Sequence, residues 1–206
     1  MDAERRVQRR MQAARERIVR SALALFAKNG IYQTTVEDIT EAADVGKGTF
    51  YEHFPSKTAI IQHLLHEGFE ALLRQCRSEV GSARTARDRV KRLLRAQLHF
   101  FDERGDLLSL FHQVRGLLKL RPGEASILQK EYKRYLRFLA EELGALFEGK
   151  RYSEAALTQV ACAMAGYVTG YLSYRVITGV NKNTTRDLRV ASRIFLEGIE
   201  RNGWHE

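Results

Sequence analysis

Between about Met11 and Asn29 the apolar residues return at helical spacing, with Ile18, Ala22, Leu25 and Phe26 on one face. The spacing predicts an amphipathic helix, and Asn29-Gly30 ends it, because glycine accepts the left-handed conformation past a helix C-terminus. Two short helices are predicted next, at 36–43 and 47–53, with Asp44-Val45-Gly46 as the turn between them. Thr35 caps the first, and Asp38 stands three positions on, as in a capping box. Gly46 offers the second no side-chain cap. Pro55-Ser56 then stops the chain, and Ser56 opens a fourth helix to about Val80.

A linker at 81–85 separates this part from a longer helical region. Further helices are predicted at 86–104, 107–119, 124–148, 153–178 and 185–202, with Ser153 and Thr185 as N-caps. No strand alternation appears, and only Pro55 and Pro122 interrupt the chain. The fold class is therefore all-α, about nine helices, with an N-terminal three-helix helix-turn-helix domain and a C-terminal helical domain.

Charge adds a direction to this picture. The chain of 206 residues carries +9, and its first twenty hold seven arginines, Arg5 to Arg20. An arginine-rich leader beside a compact module suits a polyanion, most simply nucleic acid. Cys76 and Cys162 stand far apart without a framework, which fits a reducing cytoplasm. The charged N-terminus has no apolar stretch of signal-peptide type behind it. Ala155 to Tyr174 is uncharged and long enough for a membrane span, but Thr158, Gln159, Thr169 and Ser173 favour a helix buried in protein, so no membrane partner is expected.

Two helices joined by a tight turn can lay the second in the major groove while the first crosses the backbone of double-stranded DNA. Here the second is Lys47-Gly48-Thr49-Phe50-Tyr51-Glu52-His53. Lys47 can donate to guanine, Thr49 can bond a base edge or meet a thymine methyl, and Gly48 permits close backbone approach. Thr34, Thr35, Tyr51 and Lys57 have the type and place for phosphate contacts, and His53 closes the same helix. Phe50 and Phe54 are expected to face inward.

Residues 18–65 closely resemble the DNA-binding domain of the TetR family of transcriptional regulators. The resemblance rests on Phe26-Ala27-Lys28-Asn29-Gly30, Thr34-Thr35-Val36-Glu37-Asp38-Ile39, Gly48-Thr49-Phe50-Tyr51-Glu52-His53-Phe54 and Lys57. Asp44 stands where the family usually has glycine, Gly46 where a serine often caps the recognition helix, and Thr40 replaces a common alanine. The resemblance implies a DNA reader within 1–55 and a ligand-sensing and dimerisation domain over 56–206. It further implies a homodimer whose last two helices form a four-helix bundle. Small residues Cys162, Gly166 and Gly170 at every fourth position, with Val190, Ile194 and Phe195 on the last helix, independently suit a close helix seam. Two-fold symmetry would then imply a pseudo-palindromic operator. A pocket for a small-molecule effector is implied as well, with His99, Phe100, Phe111, His112, Arg115, Tyr132, Tyr135, Met164, Tyr167 and Tyr171 as candidate linings.

Other classes find less support. None of the six histidines has a glutamate three residues before it, so a di-metal bundle is not indicated. His63 and His66 share a helix face but have no evident third ligand, and Gly46-Lys47-Gly48-Thr49 is not a phosphate loop. No nucleophile with a base can be nominated, and no metal or cofactor is expected. A helical adaptor or membrane-surface protein using the basic leader is the alternative to a ligand-responsive repressor.

Overall fold

The computed structural model describes residues 2–117, 125–145, 152–180 and 184–201. Among these the secondary structure is helical, in nine elements without a strand: α1 (Asp2–Asn29), α2 (Val36–Ala43), α3 (Lys47–His53), α4 (Lys57–Gly81), α5 (Ala86–Glu103), α6 (Gly105–Leu117), α7 (Ala125–Gly144), α8 (Glu154–Thr178) and α9 (Thr184–Arg201). The helix predicted from Met11 begins at Asp2 instead. The reason is local, because the leader from Asp2 to Arg10 is mostly Arg, Gln, Glu and Ala, good helix formers, with Asp2 and Val7 beside them and no Gly or Pro. Thr185, expected as a cap, lies inside α9, and α6 begins at Gly105 rather than at 107. The interruption expected at Pro122 lies outside the described residues.

Packing divides the chain into two compact units, and the division falls within α4. The first comprises residues 1–68 with 105–129, the second 69–104 with 130–206. In the first, Ile18, Phe26, Ile39, Phe50 and Ile60 are wholly buried, which is the inward stripe of each helix meeting its neighbours. Gly68 lets α6 cross close to α4: a β-carbon there would lie 3.2 Å from Leu107 and from Phe111.

The second unit is centred on Leu72, Leu93, Leu94, Leu139, Met164 and Val168. Its interior also holds polar groups that bond one another. The Tyr135 hydroxyl donates to Gln97, whose amide donates to the Leu93 carbonyl at 3.0 Å. Arg175 of α8 pairs with Asp102 of α5 at 2.8 Å, and the Tyr171 hydroxyl donates to Asp187 of α9 at 2.6 Å. Burial, then the bond to Asp187, pushes the Tyr171 phenol up to about 12. No helix among the described residues is long and apolar enough to cross a membrane.

Candidate nucleic-acid interface

The turn between α2 and α3 is built by short-range chemistry. Thr35 accepts from the Asp38 N–H at 3.1 Å, and Asp38 accepts from the Thr35 N–H at 2.7 Å, completing the capping box. The bonds to Thr35 hold the Asp38 carboxyl below the usual range. Asp44 takes the left-handed conformation (φ 52°, ψ 56°), which Asp tolerates better than most residues with a β-carbon, and its N–H closes α2. Gly46 leaves α3 without a side-chain cap, as its lack of one dictates.

A buried aromatic anchors α3. Phe50 is fully buried, with the Tyr51 ring edge-on at 5.4 Å and Phe54 at 6.1 Å. With that side fixed, Lys47, Gly48, Tyr51 and Glu52 face outward and Thr49 is half-buried. A β-carbon on Gly48 would meet nothing within 4 Å, so no contact inside the chain requires glycine there. Lys47 forms an ion pair with Glu37 of α2. The hydrogen bond between them lowers the Glu37 carboxyl and raises the Lys47 ammonium from their ordinary values.

Other predicted contacts are placed differently. Thr34 is fully buried, and its hydroxyl donates to the Gly30 carbonyl at 2.8 Å. The phosphate contact expected of it is not available in this conformation, because the hydroxyl closes the α1–α2 loop. Lys57 is turned the same way, donating to the carbonyls of Ile31 and Thr34, each at 2.9 Å. Those carbonyls follow the end of α1, where a cation is also favoured by the helix dipole. His53 is half-buried, with Nε2 shielded from solvent. Thr35 remains exposed.

Three further contributors escaped the sequence reading. Arg17 donates to the Ala43 carbonyl at 2.9 Å and to that of Asp44 at 3.4 Å, so this arginine of the leader braces the turn. Arg15 lies over the Phe54 ring at 5.3 Å and within 3.3 Å of both His63 ring nitrogens. Burial, then the Arg15 charge, lowers the His63 pKa. Tyr32, in the loop after α1, is 56% exposed. An aromatic in a polar turn was the available signal for Tyr32, whereas nothing in the local pattern distinguishes Arg15 and Arg17 from the exposed Arg5, Arg6, Arg9 and Arg10.

The remaining candidates fall in both units. Tyr132 and Tyr135 cluster with Phe69, at 6.4 and 5.9 Å. Phe100 and Met164 are buried in the second unit, and His99 is on its surface beside Glu103. Tyr167 and Tyr171 stack at 5.8 Å, and Tyr167 meets Phe195 edge-on. Phe111 and His112 belong to the first unit, Phe111 buried and His112 exposed. The Arg115 side chain lies outside the described residues. Cys162, Gly166 and Gly170 are exposed along α8, as are Val190 and Ile194 on α9, but Phe195 is buried against its own chain.

Residues 18–64 match the family model described as bacterial regulatory proteins, tetR family. The regulator TtgR of Pseudomonas putida is 38% identical over 78 residues, which cover 36% of this chain and 37% of that protein. The repressor KstR2 of Mycobacterium tuberculosis is 32% identical over 91 residues, 44% of this chain and 46% of that protein. The chain thus spans less than half the length of these relatives. The fold matches across nearly the whole chain. The fatty acid degradation regulator FadR of Bacillus halodurans superposes with a TM-score of 0.76 at 21% identity, covering 90% of this chain and 96% of that one. FadR of Bacillus subtilis, solved with stearoyl-CoA, superposes with a TM-score of 0.74 at 16% identity, covering 89% and 98%.

Proposed function

We propose that this chain, a member of the TetR family by its N-terminal module, is a transcriptional repressor that binds a pseudo-palindromic operator as a homodimer and is released by a small apolar or aromatic effector. The reader lies in 1–55, and sensing and dimerisation lie in 56–206. The observation that carries the reading is α3 itself: a short helix pinned from behind by Phe50, with Lys47, Gly48 and Tyr51 left outward at its start. Lys47 and Thr49 read base edges, Gly48 admits the DNA backbone closely, and Thr35 and Tyr51 contact phosphate. Exposed Arg5, Arg6, Arg9 and Arg10 supply salt-dependent attraction.

Dimerisation is supported by the exposed small-residue face of α8 with Val190 and Ile194 of α9. Val176 and Ile177, 79% and 82% exposed, extend the apolar character of α8 towards its end. Two copies joined there would present recognition helices about one DNA turn apart, roughly 34 Å, or a multiple of it. The effector reading draws on the aromatic groups in the second unit and on the stearoyl-CoA named for one structural neighbour. An effector acts by favouring an arrangement of the two subunits that no longer fits successive grooves.

The test is selection of duplexes from a random pool, followed by binding of the enriched site to the full chain and to Lys47→Ala. The expected result is an enriched inverted repeat and weaker specific binding by the variant, with helicity and subunit mass unchanged. Equal affinity of the variant, or no enriched sequence, overturns the reading.

A further inference from the structure

Helix α1 projects beyond the unit it helps to build. Residues 4–13 are exposed throughout, and the buried stripe of the helix begins with Ala14 and Ile18. The projecting arm carries Arg5, Arg6, Arg9 and Arg10, and no ion pair among the described residues engages them. Helical phase sorts these arginines into two rows. Arg6, Arg10, Ala13 and Arg17 follow at spacings of four, three and four, so they share one face. Arg5, Arg9, Gln12 and Glu16 form the neighbouring row, turned from the first by about 100°.

The two rows end differently. The first ends at Arg17, whose guanidinium bonds the Ala43 and Asp44 carbonyls at 2.9 and 3.4 Å, in the turn between α2 and α3. Lys47, at the start of α3, stands just beyond that turn with its side chain 57% exposed. Arg10 and Arg6 therefore lie about 10 and 16 Å along the axis from Arg17, on the side of the arm that faces the turn and the start of α3. The second row ends at Glu16, which is exposed and accepts from Gln12 at 2.8 Å. A carboxylate in that row opposes an approaching phosphate, whereas the first row is cationic or neutral along its whole length.

We infer that Arg6 and Arg10 clamp the phosphate backbone of DNA beside the base pairs that α3 reads, with Arg17 fixing the phase of the arm. The clamp presupposes the DNA reader proposed above, and it separates two arginines in contact from two that act at a distance. An α-helix with its side chains is about 10–12 Å thick, while the minor groove is about 6 Å wide and α3 takes the major groove. The arm therefore lies on the backbone and adds affinity without reading sequence. A lipid surface is the poorer partner, because the side opposite the arginines offers Val7 and Met11, less apolar surface than an interfacial helix needs.

The experiment compares the full chain with Arg6→Gln/Arg10→Gln and with Arg5→Gln/Arg9→Gln, which remove equal charge and keep good helix formers. The probe is the inverted repeat enriched from the random pool, read by anisotropy across about 50–200 mM salt and by hydroxyl-radical footprinting. The first variant should bind about tenfold more weakly with its helicity unchanged, and its salt slope should be shallower by about one for each arginine removed from the complex. It should also lose protection of backbone positions next to those covered by α3. The second should lose about twofold and protect the same positions as wild type. Exchanging the base pairs at the clamped positions should change neither result. On a duplex of random sequence the same difference in salt slope between the two variants is required, so the clamp stands or falls whether or not a site is enriched. An equal loss in the two variants, a footprint identical in all three proteins, or a loss of binding to phosphatidylglycerol vesicles with DNA binding intact overturns the clamp. A weakened Arg6→Gln/Arg10→Gln beside an unaffected Lys47→Ala would overturn the role of α3 and leave the clamp standing.

Discussion

The side chain of Gln113 closes the loop after α1 by bonding both of its ends. Its amide donates to the Phe26 carbonyl at 2.9 Å, and its oxygen accepts from the Ile31 N–H at 2.8 Å, 82 positions away. Between these two lies Gly30 at φ 90°, where the helix has ended and its last backbone groups need partners. A side chain from α6 thus does what a local cap does elsewhere.

Gln113→Ala should therefore leave the N–H of Ile31, a residue only 4% exposed, without a partner. The expected loss is about 1–3 kcal/mol of unfolding free energy. Urea unfolding of the full chain measures it. A change below about 0.5 kcal/mol, the size of an ordinary surface substitution, would mean that water replaces the bond without cost.

Glu37 competes with a base for Lys47. Glu37→Gln removes the charge that holds Lys47 at the start of α3. Operator affinity should rise, and the same change made in Lys47→Ala should have no effect. Fluorescence anisotropy on the four proteins of this cycle decides it. A fall in affinity, or an equal rise in both backgrounds, would show that Glu37 acts on DNA by a route other than Lys47.

A β-carbon added at Gly166 or Gly170 meets nothing within 4 Å in the single chain. Gly170→Arg should therefore leave the subunit folded while blocking close approach of a second copy. Sedimentation should report a monomer, and operator affinity should fall because two half-sites are no longer bound together. A dimer of unchanged strength would place the interface elsewhere.

His63 gives the first unit an acid-sensitive point. Its folded pKa lies below the ordinary 6.5, through burial and then the charge of Arg15, with Glu67 opposing and His66 adding to the shift. The unfolded chain thus binds the proton first, so stability present above about pH 6.5 is lost as pH falls through the folded value. Thermal unfolding between pH 7.5 and 5 should show this component in wild type and lose it in His63→Gln. An identical pH profile for both proteins would rule His63 out as its source.

The parts legible in the sequence were those made by residues within a turn or two of one another. The helical stripe of Ile18, Ala22 and Phe26, the Thr35–Asp38 capping box, the left-handed Asp44 and the uncapped Gly46 all follow from local geometry. That was sufficient for the all-α class, the helix-turn-helix and the outward start of α3. Tertiary structure decided which polar side chains are available to a partner. Thr34 and Lys57 look like phosphate contacts by type and position, but in the fold both side chains donate to carbonyls of the loop that follows α1, those of Gly30, Ile31 and Thr34. Arg17 and Gln113 were equally unreadable, since their bonds span 26 to 87 positions and leave no periodic trace. A helix end always leaves backbone groups to satisfy, and only the packed fold determines which distant side chain reaches them.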